Sequence, residues 1–291
     1  MFRRSMWACA LLAAIPGLSA PAGAVDVTAC GQTVGRGEIG VLLNDLDCST
    51  PSPGPAAVTL QNRATLQMNG HRVTFTPPAP ETYGVGIECA ERGRCLIQGP
   101  GELTGELVGV VARESKVTIS DVVFHDIISG IRAAPLSGES GPPAGNDVDA
   151  TNVTVVDAEA GIRGRSLRAN GVSVTRITGL AAGISLARKI RGTDVTASQN
   201  AGGGVFCGSG FDLDGFVATQ NSGDGGLYTL HGGRLRNATV TGNTVTISSD
   251  VRPIDIFAGR PPVVENVTCD HSLWRSPNGI EHGPFGFCAG D

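Results

Sequence analysis

The chain is poor in aromatic residues, which make up 4% of its 291 residues. Beyond the first residues no stretch carries helix-length apolar periodicity, and no apolar run approaches the roughly 20 residues of a membrane-spanning helix. These absences argue against a helical bundle and against a helical membrane protein. Lysine is nearly missing as well. Lys116 and Lys189 are the only two, so cationic chemistry falls to arginine, whose planar fork suits carboxylates. The formal net charge of −5 argues against indiscriminate nucleic-acid binding, though not against a local basic groove. CxxC pairs are missing too, and Cys269 with His271 has no second Cys/His pair, which speaks against a structural zinc site.

What is present starts with a leader. Arg3 and Arg4 precede an apolar run over residues 6–18 and the small-residue stretch Ser19, Ala20, Pro21, Ala22, Gly23 and Ala24. This is the layout of a signal peptide over 1–24, and it predicts an exported protein, periplasmic or extracellular, with 25–291 as a single domain. The leader holds two arginines and no acid, so its removal makes the chain more acidic. Cys9 leaves with it. Near-neighbour pairing of the remaining cysteines gives Cys30–Cys48, Cys89–Cys95 and Cys269–Cys288, with Cys207 as the odd free thiol.

Glycine, at 42 residues, is about twice its usual share. Short strands and tight turns follow from that. A glycine before an apolar residue recurs at Gly86, Gly109, Gly130, Gly161, Gly183, Gly204 and Gly226, at steps of about 21–23 residues with one longer step before Gly161. A near-constant period of this size implies stacked coils. The long step contains a Pro/Gly/Ser-rich stretch at 135–146, a loop insertion in one coil. A second recurrence, Asn200, Asn221 and Asn243, predicts an internal asparagine ladder. The end of the chain, through Cys269 and Cys288, reads as a disulfide-tied C-terminal cap over the exposed last coil. A β-sandwich or a leucine-rich horseshoe fits the near-constant step and the missing leucine signature less well.

The stretches Asp45-Leu46-Asp47-Cys48, TLQMNGHRVTF at 65–75 and KVTISDVVFHD at 116–126, with the alternation of glycine dipeptides and NVTV-like strands, resemble right-handed parallel β-helix repeat proteins of the pectin-lyase-like superfamily. The resemblance implies an all-β, right-handed parallel β-helix with disulfide-tied ends. It also implies work on polysaccharides, without choosing among activities.

Alignment on the dipeptides gives an inward column of Ile87, Val110, Ile131, Ile162, Ile184, Val205 and Leu227, and a second of Cys89, Ala112, Ala133, Gly164, Leu186, Cys207 and Thr229. The residues between them point outward: Glu88, Val111, Arg132, Arg163, Ser185, Phe206 and Tyr228. Arg113, Arg165, Arg188 and His231 follow at the ends of these strands. Arginines therefore gather on neighbouring coils beside the insertion. That pattern is either a solvated sheet face or a groove for an anionic ligand, since like charges about 5 Å apart repel unless an anion sits between them.

The leading expectation is a lyase or C5-epimerase acting on a uronate-containing glycan. Tyr228, His231, Arg163 and Arg165 would be its catalytic groups, and Arg113, Arg132, Arg188, Glu159 and Asp224 its substrate-binding groups. Such chemistry needs a cation on the carboxylate and a base for the ring proton. Asp212 and Asp214, two apart, read either as a polar turn or as a pair sharing a metal, with Ca²⁺ the cofactor left open. A polygalacturonase-type glycoside hydrolase is one alternative. The order of Asp212/Asp214, His231-Gly232-Gly233 and Arg234-Leu235-Arg236 suggests it, although spacing and identities depart from that pattern. A non-catalytic surface module, binding a glycan or a protein, is the other. The expected partner is an acidic polysaccharide.

Overall fold

A computed structural model describes residues 23–48, 56–75, 84–90, 92–133, 146–247, 249–276 and 280–291. The leader at 1–24 lies almost wholly outside these residues, as does the insertion, of which only Asn146 is described.

The glycine dipeptides set the stacking. A methyl group at Gly161 would run into the carbonyl oxygen of Gly183, and one at Gly204 into that of Gly226, so successive coils approach too closely there for any side chain. The residue after each glycine lies in a strand that pairs in parallel with its counterpart one coil on. Val58 pairs with Ile87, then the ladder runs through Val110, Ile131, Ile162, Ile184, Val205, Leu227 and Ile256 to Ser272. Parallel neighbours one coil apart, repeated along the chain, make a β-helix-like solenoid. Its period is near-constant from Ile87 to Ile131 and from Ile162 to Leu227; the steps from Val58 to Ile87, from Ile131 to Ile162 and from Leu227 to Ile256 are longer, and that from Ile256 to Ser272 is shorter.

Each coil has three faces. The first carries the dipeptide strands. The second runs through Leu66, Ile97, Ile119, Ala150, Ala169, Gly192, Leu213 and Leu235 as its inward column, and the third through Val73, Leu103, Phe124, Val155 and Val174. Three strands, Gly93–Ala112, Ser115–Arg132 and Asp147–Gly164, bend around the corners without interruption. The interior is a continuous stack of Val, Ile, Leu and Ala, nearly all fully buried. Each large apolar side chain so buried contributes about 1.5–3 kcal/mol.

The corner between the second and third faces is made by left-handed residues in register: Asp121, Asn152, Gly171, Asp194, Gly215, Asn237 and Asn266, all with φ between 47° and 68°. Asn, Asp and Gly tolerate that conformation best. At the corner leading back to the first face, Asn200, Asn221 and Asn243 are buried. The Asn200 backbone N–H donates to Asn221 Oδ1 at 3.0 Å, and that of Asn221 to Asn243 Oδ1 at 3.0 Å. The ladder ends on the buried carboxylate of Asp255, whose Oδ1 accepts from Asn243 Nδ2 at 2.8 Å and whose Oδ2 accepts from Asp270 N at 2.7 Å.

Disulfides join Cys30 to Cys48, Cys89 to Cys95 and Cys269 to Cys288, while Cys207 is a buried free thiol. At the C-terminal end, Ser272–Arg275 pairs antiparallel with Glu281–Gly283. The Asp291 carboxylate accepts backbone N–H bonds from Ser272 at 2.7 Å and Cys288 at 3.0 Å, holding the tail against the last coil. No helix among the described residues is long and apolar enough to cross a membrane.

Two positions assigned outward by alternation are buried instead. Val111 is 1% exposed, and Glu88 is 9% exposed with Arg113 Nε 3.5 Å from its carboxylate. Alternation fixes which way a side chain leaves the sheet, but not what covers the outer side of that sheet. A second correction concerns Asp212 and Asp214, which lie in the strand Gly210–Asp214 and not in a turn. Their strand pairs with Lys189–Ser198 on one side and Arg234–Thr241 on the other.

Candidate functional site

The outward column of the first face brings together three of the candidate site residues, Arg132, Arg163 and Tyr228. In order along the stack it runs Arg132, Arg163, Ser185, Phe206, Tyr228 and Phe257. Successive members are about 4.8 Å apart at the backbone. Asp224 lies just before Tyr228 on the same coil.

Arg163 is the most constrained of these groups. It is half-buried, and its Nε is shielded from solvent without a hydrogen-bond partner. Burial is the main cause that pushes its guanidinium below the ordinary arginine range, and the charge of Arg132 adds to it. No carboxylate of the described residues forms an ion pair with either arginine. A cation withdrawn from water and set beside another cation is costly unless an anion reaches it.

The far end of the column is aromatic. The Phe206 and Tyr228 rings meet edge to face with centroids 5.2 Å apart, and Tyr228 and Phe257 are 4.6 Å apart. A hairpin of Thr244–Ile247 and Asp250–Pro253 folds over this end. Its Val245 packs with Ile254, Phe257 and Leu273, and Tyr228 rests against that cluster. Phe206 and Tyr228 stay partly exposed, offering ring surface. Burial raises the Asp224 carboxyl above the usual carboxylate range. Tyr228 is raised first by burial and then by the Asp224 charge, with Arg275 opposing. Perturbed groups of this kind gather at functional sites.

Other residues named from the sequence sit elsewhere. Arg165 turns away from the face and clamps Asp147 with two bonds of 2.9 and 2.7 Å, which holds that carboxyl low. Arg188 and His231 are exposed at the corner that follows the first face, and Arg113 is drawn to Glu88. Glu159 is exposed three coils from Asp224, about 14 Å along the stack. That exceeds the roughly 5–9.5 Å of a hydrolase carboxylate pair. Asp212 and Asp214 lie on the second face, with Arg236 at 3.7 and 3.2 Å and Asn237 donating to Asp214 at 2.8 Å. Among the described residues no group of three or more His, Cys, Asp or Glu gathers as metal ligands do.

On the second face, sequence reasoning singled out Asp212, Asp214 and the stretch Arg234-Leu235-Arg236 but passed over Lys116, Arg168, Lys189 and Arg191. Both lysines of the chain are there, with Arg168, Arg191 and Arg234. The signal was available in the alternation Lys189-x-Arg191-x-Thr193, which puts all three on one side of a strand.

No protein-family description matches the chain, and no curated protein matches it in sequence. Among solved structures it is similar to the A-module of the Azotobacter vinelandii mannuronan C-5 epimerase AlgE6, at 11% identity over 87% of this chain and 73% of that one. The TM-score is 0.28, an overlap too loose to bear on this chain's chemistry.

Proposed function

We propose that this chain is an exported, polysaccharide-active protein built on a right-handed β-helix, and that its first face takes a uronate-containing glycan. The observation that carries the reading is Arg163, desolvated and unpartnered at Nε beside Arg132. One sugar carboxylate lies between the two guanidinium groups, and the chain of sugars runs over Ser185 onto the Phe206 and Tyr228 rings. Handedness follows the general preference of parallel crossovers.

The reaction this arrangement serves is β-elimination or C5 epimerisation. Both start by removing the proton next to the carboxylate, so cations on that carboxylate stabilise the developing charge. Asp224, whose carboxyl burial raises above the usual carboxylate range, and Tyr228 are the acid–base groups. A second reading, a non-catalytic glycan-binding module, draws on one distance: Arg163 and Tyr228 are three coils apart, about 14 Å. On that reading the two residues contact different sugars, and no acid–base group stands beside the carboxylate that Arg163 holds.

Calorimetry with polygalacturonate, alginate and a neutral glucan tests the binding. Absorbance of unsaturated product and solvent exchange at C5, with and without Ca²⁺, test the chemistry. Binding to an acidic polymer that Arg163→Gln weakens at least tenfold is expected. Binding without product or exchange selects the module, and the absence of binding to every acidic polymer sinks both readings.

A further inference from the structure

The second face carries a separate feature. Two outward columns run side by side across four coils: Lys116, Asp147, Ser166 and Lys189 in one, and Thr118, Asp149, Arg168 and Arg191 in the other. They enclose a cavity of about 140 Å³. This is smaller than the roughly 300–1,000 Å³ of a site for a whole small molecule, and it suits a single functional group.

The charges in and around this cavity do not cancel. Asp147 is engaged by Nε and Nη2 of Arg165, and Asp149 by Lys116. Asp212 and Asp214, on the next coil, share Arg236. Arg168, Lys189 and Arg191 are left with no ion-pair partner among the described residues. Arg168 and Arg191 are direct neighbours across the ladder, and Lys189 and Arg191 leave one strand on the same side. Three unpaired cations thus border the cavity in a protein of net negative charge.

From the cavity an open groove of about 480 Å³ continues over the same coils, floored by Thr151, Asn170 and Thr193. Thr193 Oγ1 donates to Asn170 Oδ1 at 2.9 Å, so these polar groups are already ordered. Hydroxyl and amide groups in a shallow groove fit the hydroxyls of a sugar ring.

We infer that the cavity bordered by Arg168, Lys189 and Arg191 binds a tetrahedral oxyanion, the sulfate or phosphate ester of a saccharide whose ring lies in the adjoining groove. A planar carboxylate directs its two oxygens within one plane, whereas a tetrahedral ester presents three terminal oxygens, one towards each of three cations set around it. The ligand class therefore differs from the carboxylate read by Arg132 and Arg163, and the site is on a different face.

Calorimetry on the purified protein at low ionic strength tests this with inorganic phosphate, inorganic sulfate and acetate. Glucose 6-phosphate and glucose 6-sulfate then distinguish the two ester sources. Phosphate or sulfate is expected to bind at least tenfold tighter than acetate. Lys189→Gln and Arg191→Gln should each weaken that binding at least tenfold with the circular dichroism spectrum unchanged, while Arg163→Gln on the first face leaves it alone. Acetate binding as tightly as both oxyanions, or oxyanion affinity unmoved in both variants, overturns the site. If neither sugar ester binds better than its bare anion, the saccharide assignment falls.

Discussion

At the residue scale, burial and partners decide what each ionisable group does. Asp224 is held above the ordinary carboxylate range by desolvation, so the folded state prefers its neutral form. Its contribution to stability is full below the unfolded carboxylate pKa and is lost as pH rises through the raised folded value. Asp224→Asn is therefore expected to raise the melting temperature by a few degrees at pH 7, with the gain vanishing near pH 3. A melting curve at pH 7 that is unchanged or lower removes the desolvation account. Cys207 is the opposite case of a group taken out of use. Burial pushes its thiol up to about 11, with weak opposition from the Thr229 hydroxyl. A thiol both buried and protonated is inert. Titration with an aromatic disulfide reagent at pH 8 should find no reactive thiol in the native protein and one after denaturation; rapid native labelling would contradict this burial.

At the element scale, the corners do the bending, and two kinds of corner differ in what they cost to disturb. The buried Asn221 donates through Nδ2 to Ala197 O at 2.7 Å and accepts the Asn200 N–H. Removing its side chain leaves that buried N–H without a partner, a loss of the kind that costs more than the bond itself contributed. Asn221→Ala should cost about 2–4 kcal/mol in urea unfolding. Gln220, next to it but exposed, accepts through its side chain from Gln199 Nε2 at 3.2 Å and from no other described residue. Gln220→Ala should stay within about 0.5 kcal/mol. Equal losses at the two positions would show that the ladder is not a special support. The asparagine ladder was legible because one residue type recurs at a constant step. The left-handed corner was not, because Asp, Asn and Gly alternate in it and only the shared φ reveals the column.

At the scale of the molecule, two electrostatic effects oppose each other. The chain has a net charge of −5, which repels a polyanion at long range, while in the proposed binding mode Arg132 and Arg163 attract it locally. Screening weakens both, with a Debye length of about 10 Å at 0.1 M salt. The local contact is shorter in range but desolvated, so it dominates the affinity. Binding of an acidic polymer to the first face is expected to weaken several-fold between 0.05 and 0.5 M NaCl. Affinity that rises with salt would mean that the negative field of the whole protein governs the encounter.

The sequence by itself determined the coil. Backbone contact between coils admits only glycine at Gly161 and Gly204, the Asn200 side chain crowds Gly183, and the residue that follows must fill a narrow interior, so these constraints leave a periodic trace in the chain. It also marked Arg132, Arg163 and Tyr228 as one outward column, because alternation is a local property of a strand. Only the tertiary structure decided which charges are spent. Arg165 and Asp147 are joined across a coil boundary that follows the insertion, so their pairing depends on where the chain re-enters the stack. The burial of Val111 and the sharing of Arg236 between Asp212 and Asp214 are likewise set by neighbours from other coils. An ion pair forms between groups that meet in space, and its strength depends on the water excluded around them. Neither quantity is written in the order of residues along one strand.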